Sequence, residues 1–304
     1  MRNQLCDALV ALAKSPTMAF LTGDLGFMAL EPLQRALGGR FINAGVAEQN
    51  MISVAAAMAR EGMNVWTYTI APFCYARAFE QIRNDVAFHG LPVRMIGNGG
   101  GYGYGVMGPT HHAIEDYGVL LTLPALRVFV PAFDEDVHNT VERANAWRGP
   151  AYLRLGRGEV PQGYAVPAYA PWRRLIEGFG SPLIAVGPVA GTYLAPLLAL
   201  PVAERPSLWV VSELPLDENP MPDELIAEVA RSGRLAVAEE HVAHGGVASD
   251  IALLLMRQGI AAKLTHFCAR AHHYAGYGSQ PWLRRQSGLD AETLVAHLHT
   301  STNS

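Results

Sequence analysis

Short apolar runs rich in β-branched and aromatic residues alternate along the chain with longer segments of helical period. In the first half the runs are AFLTG, NVWTYTI, PVRMIG, RVFVP and AYLRL, and in the second half PLIAVG, SLWVVSE, RLAVAEE and AKLTHF. Because buried strands joined by helical crossovers build parallel sheets, this alternation predicts an α/β protein. We expect two doubly wound domains, one from each half.

A segment rich in proline and glycine separates the two halves. It reads GEVPQGYAVPAYAPWRRLIEGFGSP from Gly158 to Pro182 and has no clean hydrophobic period. Such a composition is typical of a linker between domains. The sequence therefore predicts a first domain over residues 1–160, a linker over 161–180 and a second domain over 181–304.

One predicted helix carries a carboxylate in its first turn. The segment VAEQNMISVAAAMAREG places Val46, Met51 and Met58 close to a helical period and ends at Gly62. An acid in the first turn of a helix, here Glu48, meets exposed N–H groups and the positive end of the helix dipole. Helix stabilisation alone would explain it. The surrounding stretch FINAGVAEQN is otherwise uncharged, however, which leaves room for a flat ligand with no competing cation.

A second helix is predicted over CYARAFEQIRNDVAFHG.

A glycine-rich loop follows the predicted strand PVRMIG. The segment GNGGGYGYGVMGPTHH, from Gly97 to His112, holds seven glycines and ends in two histidines. Ligands of open α/β sheets bind beyond the carboxyl ends of strands, where this loop lies. Glycine content alone is equally typical of a mobile surface loop, since neither a Walker nor a dinucleotide motif is present. His111 or His112 favours a hydrogen bond to substrate over a metal, because no third ligand stands nearby.

Composition and net charge argue against several classes of function. Half of the 304 residues are hydrophobic, and the formal net charge of −4 includes no basic block. A nucleic-acid backbone would find little general attraction, so we expect no nucleic-acid partner. We also expect a cytoplasmic protein with no membrane span, since no apolar run is long enough and the start lacks a secretory signal. Three cysteines without CxxC spacing predict neither a disulfide framework nor a zinc site.

Two arginines, Arg154 and Arg157, end the first predicted domain in YLRLGRG. A solvated strand end would account for both. Arg157 lies between two glycines, however, so its forked donors are sterically free to meet a phosphate or a carboxylate. Both interpretations of Arg157 stay open at this point.

Together these segments resemble the pyrimidine-binding and C-terminal domains of the transketolase family, whose members use thiamine diphosphate. The most specific part is RFINAGVAEQNMISVAAAMA, from Arg40 to Ala59. Similar segments follow in the family's order: YARAFEQIRNDVA, GPTHHAIEDYGVLLTLPALRVFVPA, YLRLGRG, AVAEEHVAHGGVASDIA and YGSQPWLRRQSGLDAETLV. The resemblance covers nearly the whole chain and implies the family's two-domain α/β fold.

The resemblance implies a cofactor site in the first domain. Glu48 matches the glutamate that hydrogen-bonds the aminopyrimidine of thiamine diphosphate and so activates the cofactor. Phe73 matches the region whose aromatic ring stacks on that pyrimidine. Tyr75 and Arg77 are expected to line the same pocket.

Substrate contacts follow from the same resemblance. His111 matches a histidine that faces the substrate carbonyl, with His112 expected beside it, and Arg157 matches an arginine that often binds a sugar phosphate. Sugar-phosphate members carry a histidine and an aspartate where this chain has Gly99 and Met107. We therefore expect a donor other than xylulose 5-phosphate, such as a modified sugar or a 2-oxo acid.

One part of the family pattern is missing. Members that work alone hold Mg²⁺ and the diphosphate with a Gly-Asp-Gly motif and an asparagine, whereas Gly23-Asp24-Leu25 lacks the second glycine and stands too early. The resemblance thus implies the beta subunit of a split transketolase, which moves a two-carbon ketol or acyl unit from a ketose or 2-oxo acid donor to an aldehyde or ketone acceptor. An alpha subunit would bring the diphosphate site and the metal, in an α2β2 heterotetramer, and we expect no metal ligands in this chain.

Two alternatives remain open. One is the beta subunit of the decarboxylating component of a 2-oxo-acid dehydrogenase, which shares both domains. The other is a scaffold subunit that kept the fold without catalysis. GVAEQN, THHAIEDYG and LRLGRG are closer to the split transketolases.

Overall fold

The computed structural model of the chain describes residues 1–273 and 276–302. The strands are β1 (Met18–Thr22), β2 (Phe41–Asn43), β3 (Asn64–Ile70), β4 (Val93–Asn98), β5 (Arg127–Phe129), β6 (Ala151–Leu155), β7 (Trp172–Ile176), β8 (Gly180–Val186), β9 (Pro206–Val211), β10 (Glu213–Leu214), β11 (Arg234–Glu239) and β12 (Lys263–Cys268). The helices are α1 (Arg2–Leu12), α2 (Glu31–Leu37), α3 (Glu48–Arg60), α4 (Ala71–Tyr75), α5 (Phe79–Gln81), α6 (Asp116–Leu120), α7 (Val137–Ala146), α8 (Ala190–Leu198), α9 (Asp223–Ser232), α10 (Val247–Arg257), α11 (Gln280–Ser287) and α12 (Ala291–Thr302). Each apolar run predicted as a strand overlaps one of these strands.

The strands form two sheets, each built mainly from parallel neighbours. The first has the order β10-β5-β6-β4-β3-β1-β2 and is parallel except where β10 pairs with β5. The second has the order β12-β11-β8-β9-β7 and is parallel except where β7 pairs with β9. Parallel neighbours need crossover connections, which the helices supply. The predicted fold class is therefore confirmed.

Both faces of the first sheet are covered by apolar cores. Trp66 and Ile96 enter one core, whereas their strand neighbours Val65 and Met95 enter another. Because side chains alternate across a strand, these two cores lie on opposite faces of the sheet. Strands buried on both faces read as continuous apolar runs, which is why the sequence pattern identified them.

The segment predicted as a linker contains a strand. Strand β7 lies within residues 161–180 and pairs with β9 at the edge of the second sheet. Its sequence, WRRLI, does not have the pattern of a buried strand, because two arginines interrupt the apolar run. Arg173 is nevertheless buried in an ion pair with Asp136 of the first domain. The ranges proposed for the two domains stay predictions.

The second predicted helix is interrupted. It begins at Ala71, earlier than predicted, with Pro72 in the first turn, where the fixed φ of proline suits a helix start. A turn and the short α5 follow, and a π-helical turn covers Ile82–Ala87. Phe73 lies before this break, in α4, which directly follows the end of β3.

Arg154, expected as a solvated residue, is instead the centre of a buried junction between the domains. It is 3% exposed, and its Nε donates to Asp116 Oδ2 at 2.8 Å. Its Nη2 donates at 2.8 Å to the carbonyl oxygens of Ala113 and of Glu240 in the second domain.

Within the described ranges, no helix is both long and apolar enough to span a membrane.

The buried pair at this junction predicts a large effect of Asp116→Ala. The substitution leaves the Arg154 guanidinium buried without its counter-ion, which should lower the free energy of unfolding by about 3 to 5 kcal/mol. Urea unfolding followed by circular dichroism measures the change. Glu224→Ala is the control, because it removes one of the two acidic partners of Arg174 at a more exposed position and should cost less than about 1 kcal/mol. Equal losses of unfolding free energy in the two variants would contradict the role of Asp116 as the buried counter-ion of Arg154.

Candidate active site

Glu48 lies in the first turn of α3, as predicted, and is the first residue of that helix, but its side chain does not cap it. The start of α3 has no side-chain cap hydrogen bond, and Glu48 is only 1% exposed. Thr69 Oγ1 at the end of β3 donates to Glu48 Oε1 at 3.3 Å. Val46, expected on the helix, precedes it and is 74% exposed. The carboxylate therefore faces the carboxyl end of the first sheet.

The expectation that Glu48 has no competing cation is wrong, because Arg77 forms an ion pair with it. Its Nη1 lies 2.6 Å from Glu48 Oε2, and its guanidinium carbon stands 4.2 Å from the centre of the Phe73 ring. The Arg77 side chain remains 40% exposed. A buried carboxylate needs a partner of opposite charge, and the fold supplies one from 29 residues further along the chain. Arg77 thus contacts both the Glu48 carboxylate and the Phe73 ring.

The His111 imidazole completes this group. The centres of the Phe73 and His111 rings are 5.1 Å apart in an edge-on arrangement, and Tyr104 lies 6.4 Å from His111 on another side. Thr110 Oγ1 is 2.9 Å from His111 Nδ1. Burial lowers the pKa of His111, and the nearby Arg77 charge lowers it further. The ring is therefore mostly neutral at neutral pH and able to donate a hydrogen bond.

Two predicted residues turn away from this group. The Tyr75 hydroxyl donates to Glu115 Oε2 at 2.8 Å, and His272 Nε2 lies 2.6 Å from Glu115 Oε1. The buried His112 ring stacks on His272 with centres 5.7 Å apart. These contacts favour a structural role for Tyr75 and His112 at the junction with the second domain. The structure brings together Glu48, Phe73, Arg77 and His111.

The glycine loop is anchored rather than free. Tyr102 is fully buried, and its hydroxyl donates to the carbonyl oxygen of Ala271 in the second domain at 2.9 Å. Gly99 has a φ of 75°, and a Cβ there would collide with the Tyr104 ring. A side chain at this position would have to displace the Tyr104 ring and would adopt a strained φ. A histidine at position 99 is therefore disfavoured while Tyr104 holds this place.

Arg157 was predicted from the sequence as a site residue, whereas Thr69 was not. Arg157 is exposed, as its glycine neighbours suggested, and lines a cavity of about 620 Å³ beside the loop. Thr69 was missed, although the pattern of β3 holds a signal. Thr67 and Thr69 share a strand face with the buried Val65. Polar residues on a buried face need partners, and for Thr69 the partner is Glu48.

Comparison with known proteins identifies the family. Residues 9–162 match the family model described as "Transketolase, pyrimidine binding domain". The chain belongs to the transketolase family. It is 28% identical over 272 residues to an apulose-4-phosphate transketolase subunit of Actinobacillus succinogenes, in a match that covers 88% of this chain and 86% of that protein. The family resemblance read from the sequence motifs is thereby confirmed.

Other transketolase relatives are similar over most of this chain. It is 33% identical over 288 residues to 1-deoxy-D-xylulose-5-phosphate synthase 2 of Geobacter sulfurreducens, covering 92% of this chain but 44% of that protein. A solved structure described as a split gene transketolase, an inactive beta4 tetramer, has a TM-score of 0.81 at 30% identity. That match covers 98% of this chain and 96% of the other. The agreement extends through both domains of the transketolase fold.

The position of Arg77 predicts a measurable effect on His111. Replacing the charged side chain in Arg77→Gln removes one of the two causes that lower the pKa of His111, so that pKa should rise. Proton NMR titration of the full-length chain measures it, with His111→Asn to assign the resonance. Arg83→Gln, at an exposed position a few residues away, is the control and should leave the titration unchanged. An unaltered His111 titration in Arg77→Gln would refute the electrostatic link.

Proposed function

We propose that this chain is the beta subunit of a split transketolase that uses thiamine diphosphate and is active only with an alpha subunit. The enzyme transfers a two-carbon ketol or acyl unit from a ketose or 2-oxo acid donor to an aldehyde or ketone acceptor. The observation that carries the proposal is the buried Glu48 carboxylate beside the Phe73 and His111 rings. Family membership and the likeness to the apulose-4-phosphate transketolase subunit support it.

The residues at the site fit the pyrimidine end of the cofactor. Glu48 Oε2 is paired with Arg77. Among the described residues Oε1 receives only the long hydrogen bond from Thr69, so it retains capacity to accept another. A Cβ at Gly23 would stand 3.4 Å from Glu48 Oε1 and 3.2 Å from Thr69 Oγ1. The missing side chain therefore lets the backbone after β1 approach the carboxylate closely. Phe73 offers an aromatic ring beside it.

Each residue of the chain then has a defined task. When bound, thiamine diphosphate would supply an acidic thiazolium carbon that is nucleophilic towards a carbonyl once its proton has been removed. Glu48 holds a proton at the pyrimidine nitrogen, and its burial excludes water from that hydrogen bond. Arg77 would hold the Glu48 carboxylate in position through Oε2. His111, neutral because burial and Arg77 lower its pKa, donates to the substrate carbonyl oxygen.

The remaining parts of the site come from other elements. Arg157 binds an anionic group of the substrate, which its exposed position beside the loop permits. The alpha subunit holds the diphosphate and Mg²⁺ in an α2β2 heterotetramer. The apulose-4-phosphate transketolase subunit and the beta4 split-gene structure support an enzyme of several subunits. Among the residues described here, no group of three or more His, Cys, Asp or Glu side chains is arranged to hold a metal.

The proposed donor differs from xylulose 5-phosphate. Gly99 has no room for a hydroxyl-reading histidine, and Met107 presents an exposed thioether at the second position. A donor hydroxyl that is buried without a partner would cost roughly 1 to 3 kcal/mol. A modified sugar or a 2-oxo acid therefore suits this pocket better.

Glu48→Ala tests the proposed mechanism. With the alpha subunit, thiamine diphosphate and Mg²⁺ present, the variant should lose at least about 100-fold in transfer rate, because the proton at the pyrimidine is no longer held. Product formation from a ketose or 2-oxo acid donor measures the rate. Glu61→Gln, an exposed acid at the other end of the same helix, should keep the parental rate. Full activity in Glu48→Ala would show that the mechanism is wrong.

A further inference from the structure

The aromatic ring of Tyr104 adjoins both the candidate active site and the cavity of about 620 Å³ that Arg157 lines. The centres of the Tyr104 and His111 rings are 6.4 Å apart, with 62° between their planes. Tyr104 itself belongs to the lining of the cavity. A substrate that reaches from His111 to Arg157 would therefore run beside the Tyr104 ring.

The fold of the glycine loop places this ring over Gly99. The loop turns back on itself, since a Cβ at Gly103 would lie 2.8 Å from Gly99 Cα, and the Gly103 N–H donates to the Gly100 carbonyl oxygen at 3.1 Å. A Cβ at Gly99 would lie 2.2 Å from Tyr104 Cδ2 and 2.3 Å from Tyr104 Cε2. The ring thus takes the space that a side chain at position 99 would need.

Hydrogen bonds at the hydroxyl and at the backbone keep Tyr104 in this place. The Asn98 amide donates to the Tyr104 hydroxyl at 2.5 Å, and the Met107 backbone N–H donates to the Tyr104 carbonyl oxygen at 2.8 Å. The neighbouring Gly105 packs tightly on the second domain, because a Cβ there would lie 2.6 Å from the carbonyl oxygen of Gly278. The ring therefore forms a fixed wall.

The two tyrosines of the glycine loop differ in exposure. Tyr102 is fully buried, and its hydroxyl donates to the second domain, which accounts for it as a structural residue. Tyr104 stays partly exposed beside His111. Because its hydroxyl is engaged with Asn98, the surface that it offers there is mainly aromatic, and Val106, which is 67% exposed, adds apolar surface to the same lining. This wall discriminates by shape more than by hydrogen bonding.

We propose that Tyr104 determines which donor the enzyme accepts, an inference that rests on the proposed function. The donor carbonyl lies at His111, so a long ketose phosphate that extends to Arg157 must run beside the fixed ring. A short 2-oxo acid need not extend that far. Tyr104 therefore admits a compact donor and disfavours a long one. An apolar pocket separates substrates that differ by one methylene group by about 10- to 200-fold, which sets the scale of the effect.

Two donors that carry the same two-carbon ketol unit test this proposal. Hydroxypyruvate is short and xylulose 5-phosphate is long, and kcat/KM is measured for each with the alpha subunit, thiamine diphosphate and Mg²⁺ present and glycolaldehyde as the common acceptor. Tyr104→Ala should shift the ratio of the two values at least about tenfold towards xylulose 5-phosphate. Tyr104→Val, which keeps more of the loop packing, should shift it in the same direction. Tyr104→Phe should stay near the parental ratio, because the ring is retained.

Phe88→Ala is the control for the loss of a ring. Phe88 is 80% exposed and precedes β4, at the end of the strand opposite to Asn98, so its removal should leave the donor ratio unchanged. Transfer by the parent enzyme with the same ratio in Tyr104→Ala and Tyr104→Val overturns the inference and leaves the proposed function intact. No transfer from either donor by the parent enzyme refutes the proposed function, and this inference with it.

Thermal unfolding of the full-length chain gives a second test that needs no catalysis. Gly99→Ala should lower the Tm of the parent chain, because its Cβ meets the Tyr104 ring and its φ of 75° is strained for alanine. In the Tyr104→Ala background only the strain remains, so the same substitution should lower the Tm less. Equal losses in the two backgrounds would show that the ring does not fill the space at position 99, which overturns the proposal.

Discussion

The buried guanidinium of Arg154 is the interaction on which the rest of the structure depends. It joins three regions at once: the end of the glycine loop through Ala113, helix α6 through Asp116, and the second domain through Glu240. A charge so deeply buried needs a counter-ion and further hydrogen bonds to offset its loss of hydration, and Asp116 and the two carbonyl oxygens supply them. The loop that carries His111 is therefore held in one place relative to both sheets. Glu240 continues the connection to Arg284 and the cavity.

The candidate active site balances two requirements that oppose each other. A carboxylate as buried as Glu48 needs a cation, yet a carboxylate that works on a ligand must have capacity to bind it. Arg77 meets both requirements because it bonds one oxygen and remains partly exposed. Its charge also helps to keep His111 neutral. One arginine thus pairs with the carboxylate and adds to the effect of burial on the pKa of His111.

Local periodicity predicted the regular elements well and the irregular ones poorly. The buried strands and helix α3 were found because apolar residues repeat with the period of each element. Strand β7 was missed, since Arg173 owes its burial to Asp136 in another domain. The two-residue strand β10 is too short to leave a pattern. The break after α4 was missed as well, because its neighbours in space are distant in sequence.

By itself the sequence determined the two α/β domains, the place of Glu48 in the first turn of α3 and the family to which its motifs belong. These features follow from local patterns and from motifs that stand in a recognisable order. Only the tertiary structure decided that Arg77 meets Glu48, that Tyr75 and His112 turn towards the second domain, and that Arg284 lines a cavity beside Arg157. The direction of a side chain depends on which element packs against it, and that partner is far away along the chain.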